Sequence, residues 1–376
     1  MKRLLLVGGG HSHLEVLRRL ATQQPPGLDI VLLSPDGYAI YSGMIPGVVA
    51  GDYALPECRV DLAALASRAG ARLLAAELTG LDPGRRSVLT AAGGSLEYDV
   101  ISLDVGSVPA TRGVAGVREH ALPVKPVIPF LQRLAGWDEG HAQRRPHHIA
   151  VVGSGAAGIE IAFTLQHRLD RRDAARTRMT LVSESPLLLP GLDAGTRRRA
   201  GRIAGDRCID LRLGAGVVAV DAAGLTLAGG ERIAADMVVW VTGAAAHPWI
   251  AATALATDAA GYVAINDCLQ SVSHAEVFAA GDCATSITDS KPKSGVFAVR
   301  QGPVLAGNLL RALRGEPLLA FQSGSAALVI LNCGGRLALA SWRGRALEGR
   351  WVWRWKDWLD RRFIRRYAGR VPWKDQ

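Results

Sequence analysis

Two stretches of this chain carry residue types at the spacing that holds a dinucleotide. The first, Leu4-Leu5-Leu6-Val7-Gly8-Gly9-Gly10-His11-Ser12-His13-Leu14-Glu15, runs from four apolar residues through three glycines into a helical pattern. Glycine lets the backbone turn sharply and approach a ligand with no Cβ in the way. A helix from about Ser12 to Leu20 would turn its unpaired N–H groups, and the positive end of its dipole, on whatever sits in that turn. A pyrophosphate suits such a cradle. Gly8, Gly10 and the adjoining His11 are the candidate contacts, with His13 standing where the G-x-G-x-x-G fingerprint has its third glycine. The second stretch, Ile149-Ala150-Val151-Val152-Gly153-Ser154-Gly155-Ala156-Ala157-Gly158-Ile159-Glu160, carries the complete fingerprint in Gly153, Gly155 and Gly158. One glycine run also occurs in ordinary turns. Two copies, with Gly8 and Gly153 lying 145 residues apart, leave room for each to found a nucleotide-binding domain.

Further polar residues fall at strand ends, where such folds place their ligands. Asp29–Leu33 reads as the second parallel strand; Ser34 stands at its end in place of the expected ribose-binding carboxylate, and Asp36 is the candidate ribose contact. Tyr41-Ser42-Gly43-Met44-Ile45-Pro46-Gly47 follows, either a plain surface loop or a seat for the far end of a cofactor. In the second half Met179–Val182 is the matching strand and Glu184 the matching carboxylate, suited to a ribose diol and hence to a non-phosphorylated nicotinamide cofactor. Arg171, Arg172, Arg176 and Arg178 would instead meet a 2′-phosphate, and the sequence leaves that choice open. Two apolar strands ending at Gly106 and Gly243 follow their fingerprints by 98 and 90 residues, so the internal repeat extends beyond the glycines. Val277-Phe278-Ala279-Ala280-Gly281-Asp282 puts a carboxylate at a strand edge beside a glycine, placed to hold a polyol hydroxyl. A helix opening near Lys293 and running to about Leu313 carries Gln301, and its positive end is placed to stabilise negative charge. Lys125, within Pro123-Val124-Lys125-Pro126, either reaches a cofactor or substrate or is a solvated lysine.

The chain that must position these residues has 376 of them, 49% hydrophobic and 21% charged, a globular composition with room for two or three domains. No run of about eighteen apolar residues is present to span a membrane. The apolar run after Met1-Lys2-Arg3 is too short for a signal peptide and flows straight into the glycine turn, so a cytoplasmic protein is expected. Cys58, Cys208, Cys268, Cys283 and Cys333 are far apart, without C-x-x-C pairs or metal-ligand spacing; no metal is expected. Helical spacing covers Asp61 to Ala69. Pro123–Pro126 and the polar run Gly140 to Pro146 read as an exposed crossing between two nucleotide domains.

The charge of +10 is uneven. From Ala340 to Gln376 there are eleven Lys or Arg against four Asp or Glu, and six of the nine tryptophans lie there too. Ala326–Leu331 and Leu337–Trp342 read as a hairpin, followed by a helix from Trp351 to Tyr367. Its Val352, Trp355, Leu359 and Phe363 recur at helical steps, while Arg354, Arg361, Arg362, Arg365 and Arg366 fill much of the remainder. A basic, tryptophan-rich amphipathic helix suits a membrane interface; the alternative is that its rings pack on the protein itself or on a second subunit, which leaves a homodimer open. Nothing accompanies the charge that would mark a nucleic-acid-binding motif.

In order, the two fingerprints, the Thr-Gly strand end, Val-Phe-Ala-Ala-Gly-Asp and the closing helix resemble the two-dinucleotide-binding-domain flavoproteins, over nearly the whole chain. Within them the chain is most similar to the type II NADH dehydrogenase branch. Gly-Gly-Gly-His-Ser-His-Leu-Glu-Val-Leu-Arg-Arg, Tyr-Ser-Gly-Met-Ile-Pro-Gly and Ala-Val-Arg-Gln-Gly-Pro-Val-Leu-Ala resemble an oxidoreductase group sometimes fused to selenide, water dikinase. The resemblance implies an α/β fold of two Rossmann-like domains plus a small C-terminal α+β segment. It divides the chain into 1–120 with 245–325 for non-covalent FAD, 121–244 for NADH or NADPH, and 326–376 for the hairpin and helix. It implies that Gly8 and Gly10 meet the FAD pyrophosphate, Asp282 the ribityl chain and Gln301 the flavin ring. Gly153, Gly155 and Gly158 would hold the nicotinamide cofactor's pyrophosphate, with Glu160 near the nicotinamide. Glu160, Gln301 and Lys125 are the candidate catalytic residues. The implied acceptor is a quinone, reached by peripheral attachment to the inner face of the cytoplasmic membrane; Val296 stands where type II dehydrogenases often have a glutamine beside it. A soluble reductase of a selenium or sulfur compound and an FAD redox sensor are the alternatives. The disulfide-reductase and sulfide:quinone branches depend on close or flavin-flanking cysteines that this spacing does not supply.

Overall fold

Continuous runs of Leu, Val and Ile make strands that are hydrophobic on both faces, and such strands are stable only when helices cover both sides of a parallel sheet. The computed structural model describes residues 1–23, 25–111, 113–141, 147–173, 177–289, 292–322, 324 and 328–368. In the first half β1 (Lys2–Val7) turns into α1 (His11–Gln23), followed by β2 (Leu28–Ser34), α2 (Ile45–Ala50), α3 (Leu62–Arg68), β3 (Ala71–Ala75) and β4 (Val100–Leu103). The second half holds β5 (Ala121–Pro123), α4 (Val127–His141), β6 (His147–Val152), α5 (Ala156–Asp173), β7 (Thr177–Ser183), α6 (Ala194–Asp206), β8 (Asp210–Leu213) and β9 (Met237–Trp240). The chain then returns to the first half through β10 (Val277–Ala279) and α7 (Gly295–Arg314).

Two all-parallel sheets result, in the orders β10-β4-β1-β2-β3 and β5-β9-β6-β7-β8, so each strand of one has a counterpart in the other. The correspondence reaches single hydrogen bonds. The Arg3 N–H donates to the Asp99 carboxylate at 2.6 Å and the His148 N–H to the Asp236 carboxylate at 2.9 Å, each at the amino end of its sheet's central strand. Leu4, Leu5 and Leu6 of β1 are fully buried, and each buried Leu contributes about 1.5–3 kcal/mol. This core fixes the strand end from which the glycine turn departs. The mixed α/β architecture with two Rossmann-type sheets agrees with the expected fold class.

Three local expectations are corrected. The stretch from Tyr41 is no open loop: a 3-10 turn at Ser42–Met44 runs into α2, with Pro46 in the first turn, where its missing N–H costs nothing. The crossing expected from Pro123 is taken up by β5 and by α4; residues 142–146 of the polar run lie outside the described residues. The expected C-terminal hairpin is a three-stranded antiparallel sheet of β11 (Val329–Asn332), β12 (Ala338–Trp342) and β13 (Arg345–Gly349). Residues 326 and 327 of its first expected strand lie outside the described residues. The third strand forms because Arg343 and Gly344, at φ +49° and +76°, make a two-residue turn of the hand that matches strand twist.

Helix α8 (Arg350–Ala368) follows this sheet. One face of it packs on the protein. Val352, Lys356, Asp360, Ile364 and Tyr367 form a buried stripe against the protein, whereas Trp351 and Trp358 on the other side are 53% and 52% exposed. No helix among the described residues is long and apolar enough to cross a membrane.

Candidate active site

In the second cradle each fingerprint glycine has a different steric surrounding. Gly153 has φ +127°, and a Cβ there would sit 2.4 Å from the Val241 carbonyl; at Gly158 it would sit 1.9 Å from the Gly153 carbonyl, so this glycine lets α5 close on the strand. At Gly155 the same atom would meet nothing within 4 Å. That side is open for a pyrophosphate approaching the N-terminus of α5. Glu184 follows the last residue of β7, exposed at the sheet's carboxyl edge, while Arg178 lies back along the strand and pairs with Asp210. Arg176 lies outside the described residues.

The first cradle has the same turn with different packing. Gly8, at φ +95°, comes as close to Asp104 as Gly153 comes to Val241. His13 occupies the place of the third glycine. Its Nδ1 meets the Gly8 carbonyl at 2.7 Å and its Nε2 the Ser102 hydroxyl at 2.8 Å, so a hydrogen-bonded imidazole ties helix to strand where the other cradle uses bare backbone. His11 lies edge-on to Tyr41 and to Phe363, at 5.5 Å from each, and those two rings stack at 4.1 Å. Its Nε2 is buried without a hydrogen-bond partner among the described residues, and burial lowers its pKa to about 4, so the ring is neutral. An orphaned nitrogen at a helix N-terminus fits a polar group of a bound dinucleotide; at Gly106 an added Cβ would meet nothing within 4 Å. Asp36 lies exposed in the turn after β2.

Around the cradles lies a chain of ionic contacts. Asp282 receives Lys125 Nζ and Ser107 Oγ, each at 3.3 Å, so Lys125 from the second half reaches the Gly-Asp edge of the first. Gln301 Oε1 accepts from the Gly281 N–H at 2.7 Å. Gly243 accepts from the Ala110 N–H, tying together the segments that follow the two repeats. A shallow cleft opens at this point, lined by Asp267, Asp282, Lys293, Phe297, Gln301 and Phe321 among others. On the other side Glu160, in the first turns of α5, accepts from the Asn332 N–H at 2.7 Å, and burial raises its carboxyl to about 7. Lys356 is buried on α8, bonded to Asp360 at 2.8 Å and to the Gly43 carbonyl at 2.7 Å; burial opposes its charge, but Asp360 and Glu160 outweigh it and hold it protonated.

Asp104, Lys356 and Asp360 were not singled out from sequence. Aligning the internal repeat would have found Asp104 opposite Val241, and the i,i+4 Lys–Asp pair is the one place where the apolar stripe of α8 turns ionic. Cys58, Cys283 and Cys333 are buried free thiols, each pushed up to about 12, chiefly by burial.

A sequence model of the pyridine nucleotide-disulphide oxidoreductases matches residues 2–302. The chain belongs to this family. An NADH dehydrogenase-like protein of Mycobacterium tuberculosis is 31% identical over 279 residues, 71% of this chain and 70% of that one. A type II NADH:quinone oxidoreductase of Staphylococcus epidermidis is 23% identical over 390 residues, 98% and 96% of the two chains. Among solved structures, the sulfide:quinone oxidoreductase of Aquifex aeolicus has a TM-score of 0.84 at 19% identity, covering 98% of this chain and 92% of that one, which shows a common fold. As a pyridine nucleotide-disulphide oxidoreductase the chain uses FAD and NAD(P)H, and its two cradles fit them. It is an NAD(P)H-dependent flavin oxidoreductase.

Proposed function

We propose that the protein passes electrons from NAD(P)H through FAD to a quinone taken from a membrane surface. When bound, the cofactors supply hydride transfer from nicotinamide C4 to flavin N5, and the chain supplies alignment and a dry site. In this reading Gly8, Gly10 and His11 hold FAD with Asp36, Gly106, Asp282 and Gln301. Gly153, Gly155, Gly158, Glu184 and Gly243 hold the nicotinamide nucleotide, Glu184 through a ribose diol. Lys125 positions Asp282. Glu160, with a carboxyl near neutrality beside protonated Lys356, holds or releases a proton as electrons leave.

The two-faced build of α8 carries this reading. Its inner face brings Phe363 to Tyr41 and His11 and carries the Lys356–Asp360 pair; its outer face presents Trp351 and Trp358 with exposed Arg354, Arg362 and Arg365. Tryptophan partitions to the bilayer interface, and each basic residue near anionic lipid adds about 1 kcal/mol, so such a helix suits peripheral attachment at the anionic cytoplasmic leaflet. The test is NAD(P)H oxidation with quinone embedded in anionic vesicles against a water-soluble dye. Turnover with the dye alone sinks the quinone assignment.

A second reading, a water-soluble acceptor such as a selenium or sulfur compound, is favoured by the Asp267, Asp282, Lys293 and Gln301 side chains that line the cleft. Reduction of sulfur or selenium oxyanions without vesicles would support it.

A further inference from the structure

The two cradles share one plan and differ at a buried position beneath the glycine turn. The Asp104 N–H donates to the Val7 carbonyl at 2.8 Å as the Val241 N–H donates to the Val152 carbonyl at 2.9 Å, so the two residues are counterparts. In the second cradle an apolar side chain leaves the helix N-terminus to the ligand. In the first, a carboxylate only 3% exposed lies under the turn. Its Oδ2 accepts from the His13 N–H at 3.0 Å, and the Ser12 N–H faces it as well. A Cβ added at Gly10 or Gly281 would fall 2.2 Å or 2.7 Å from Oδ1. The leading N–H groups of α1, which would receive a pyrophosphate, therefore already hold an acidic side chain.

A diphosphate brings two more negative charges to that helix end, and anions this close in an enclosed site do not all stay charged. We infer that Asp104 carries a proton in the FAD-bound protein at neutral and mildly alkaline pH, so that above about pH 7 FAD binding takes up a proton from solvent and the flavin is held more tightly as the pH falls toward 7. The inference rests on FAD occupying the first cradle. Burial already raises the Asp104 carboxyl to about 7; the His13 and Ser12 N–H groups oppose this and the Asp282 charge adds to it. The other titratable groups around it are His11 and His13 on α1, Asp282 and Cys283 after β10, Lys125 on Asp282, and Lys293 ahead of α7. Burial lowers both histidines to about 4 and raises Cys283 to about 12, so none of these three changes charge between pH 6 and 9.

The sign follows from linkage. Below the flavin-free pKa the carboxyl is already protonated and affinity is level. Above it, each pH unit costs up to about tenfold in affinity until the flavin-bound pKa is reached. The holoenzyme, serially diluted at pH 6 to 9, is followed by the fluorescence of released FAD. The wild type should release FAD more readily by up to about tenfold per unit above pH 7, and Asp104→Asn should hold it with no pH slope. A level wild-type response, or the same slope in Asp104→Asn, overturns the inference. If Asp104→Asn does not fold, infrared spectra of the wild-type holoenzyme decide: a protonated-carboxyl band at pH 8 that vanishes on FAD release supports it, and absence of that band overturns it. A protein that purifies without FAD at any pH would instead overturn the cofactor assignment beneath.

Discussion

Glu15 of α1 and Arg366 of α8 lie 3.0 Å apart, and the Glu15 side chain is only 1% exposed. The same carboxylate takes Arg18 at 2.8 Å and Arg19 at 2.9 Å, with the Tyr367 hydroxyl at 3.3 Å. The helix that opens the first cradle and the last helix of the described residues are thus joined through one buried acid. Burial pushes the Glu15 carboxyl up, but the bonds from Arg18 and Arg19 outweigh it and bring the pKa down to about 2. Because the folded value lies below the unfolded one, this stability is present above pH 4.5 and is lost as the pH falls toward 2.

Glu15→Ala, which removes the bonds to Arg18, Arg19 and Arg366 but leaves those arginines partly solvated, is expected to cost about 1.5–3 kcal/mol, whereas Arg366→Ala, at a half-exposed partner, should cost about 1 kcal/mol or less. Denaturant midpoints at pH 7 and pH 3 check both. The difference between wild type and Glu15→Ala should shrink at pH 3, and equal losses in the two variants would show that the acid is not the hub.

Two glycines of the second cradle should respond in opposite ways. A side chain at Gly155 meets open space, so Gly155→Val should fold with a full complement of FAD yet lose reduction of that flavin by NAD(P)H, by at least about a hundredfold in an anaerobic stopped-flow trace. A side chain at Gly158 meets the Gly153 carbonyl at 1.9 Å, so Gly158→Ala should lower stability by about 2–3 kcal/mol before any effect on catalysis is read. Loss of folding in Gly155→Val would show that its open face is structural.

That contrast also marks what sequence could reach. The cradles, the parallel strands and the helix from Gly295 are legible because glycine turns, apolar runs and helical period are local. The buried acids are not. Glu15 sits on the polar side of a short helical pattern and looks solvated until α8, some 350 residues on, folds over it. Asp104 looks like an ordinary strand end until the repeat sets it against Val241. β13 is hidden because Arg345–Gly349 reads as part of a basic tail; only the positive φ of Arg343 and Gly344 folds it back as a strand.

Cysteine chemistry should play no part in turnover. With Cys58, Cys283 and Cys333 buried and raised to about 12, under one thiol in a thousand is ionised at neutral pH, and the thiolate is the reactive form. Replacing all five cysteines by alanine or serine should leave two electrons taken up per flavin, at a cost of about 1 kcal/mol for each buried site. Four electrons per flavin in the wild type, falling to two in the variant, would reveal a redox-active thiol pair.

The last prediction separates the two faces of α8. Cutting the chain before Trp351 removes Val352, Lys356, Ile364 and Tyr367 from the interior together with the exposed tryptophans, so loss of FAD after that cut would say nothing about membranes. Substitution of the outer face alone is the sharper test. Trp351→Ala and Trp358→Ala combined with Arg354→Glu and Arg362→Glu change residues that are exposed and leave the buried stripe in place. Reversing two charges near anionic lipid, at about 1 kcal/mol for each unit of charge, and removing two interfacial rings should weaken binding to anionic vesicles by at least about a hundredfold. Thermal midpoint, FAD content and dye reduction should stay within about twofold or a few degrees of wild type. Vesicle binding unchanged in this variant would assign the outer face of α8 to something other than lipid.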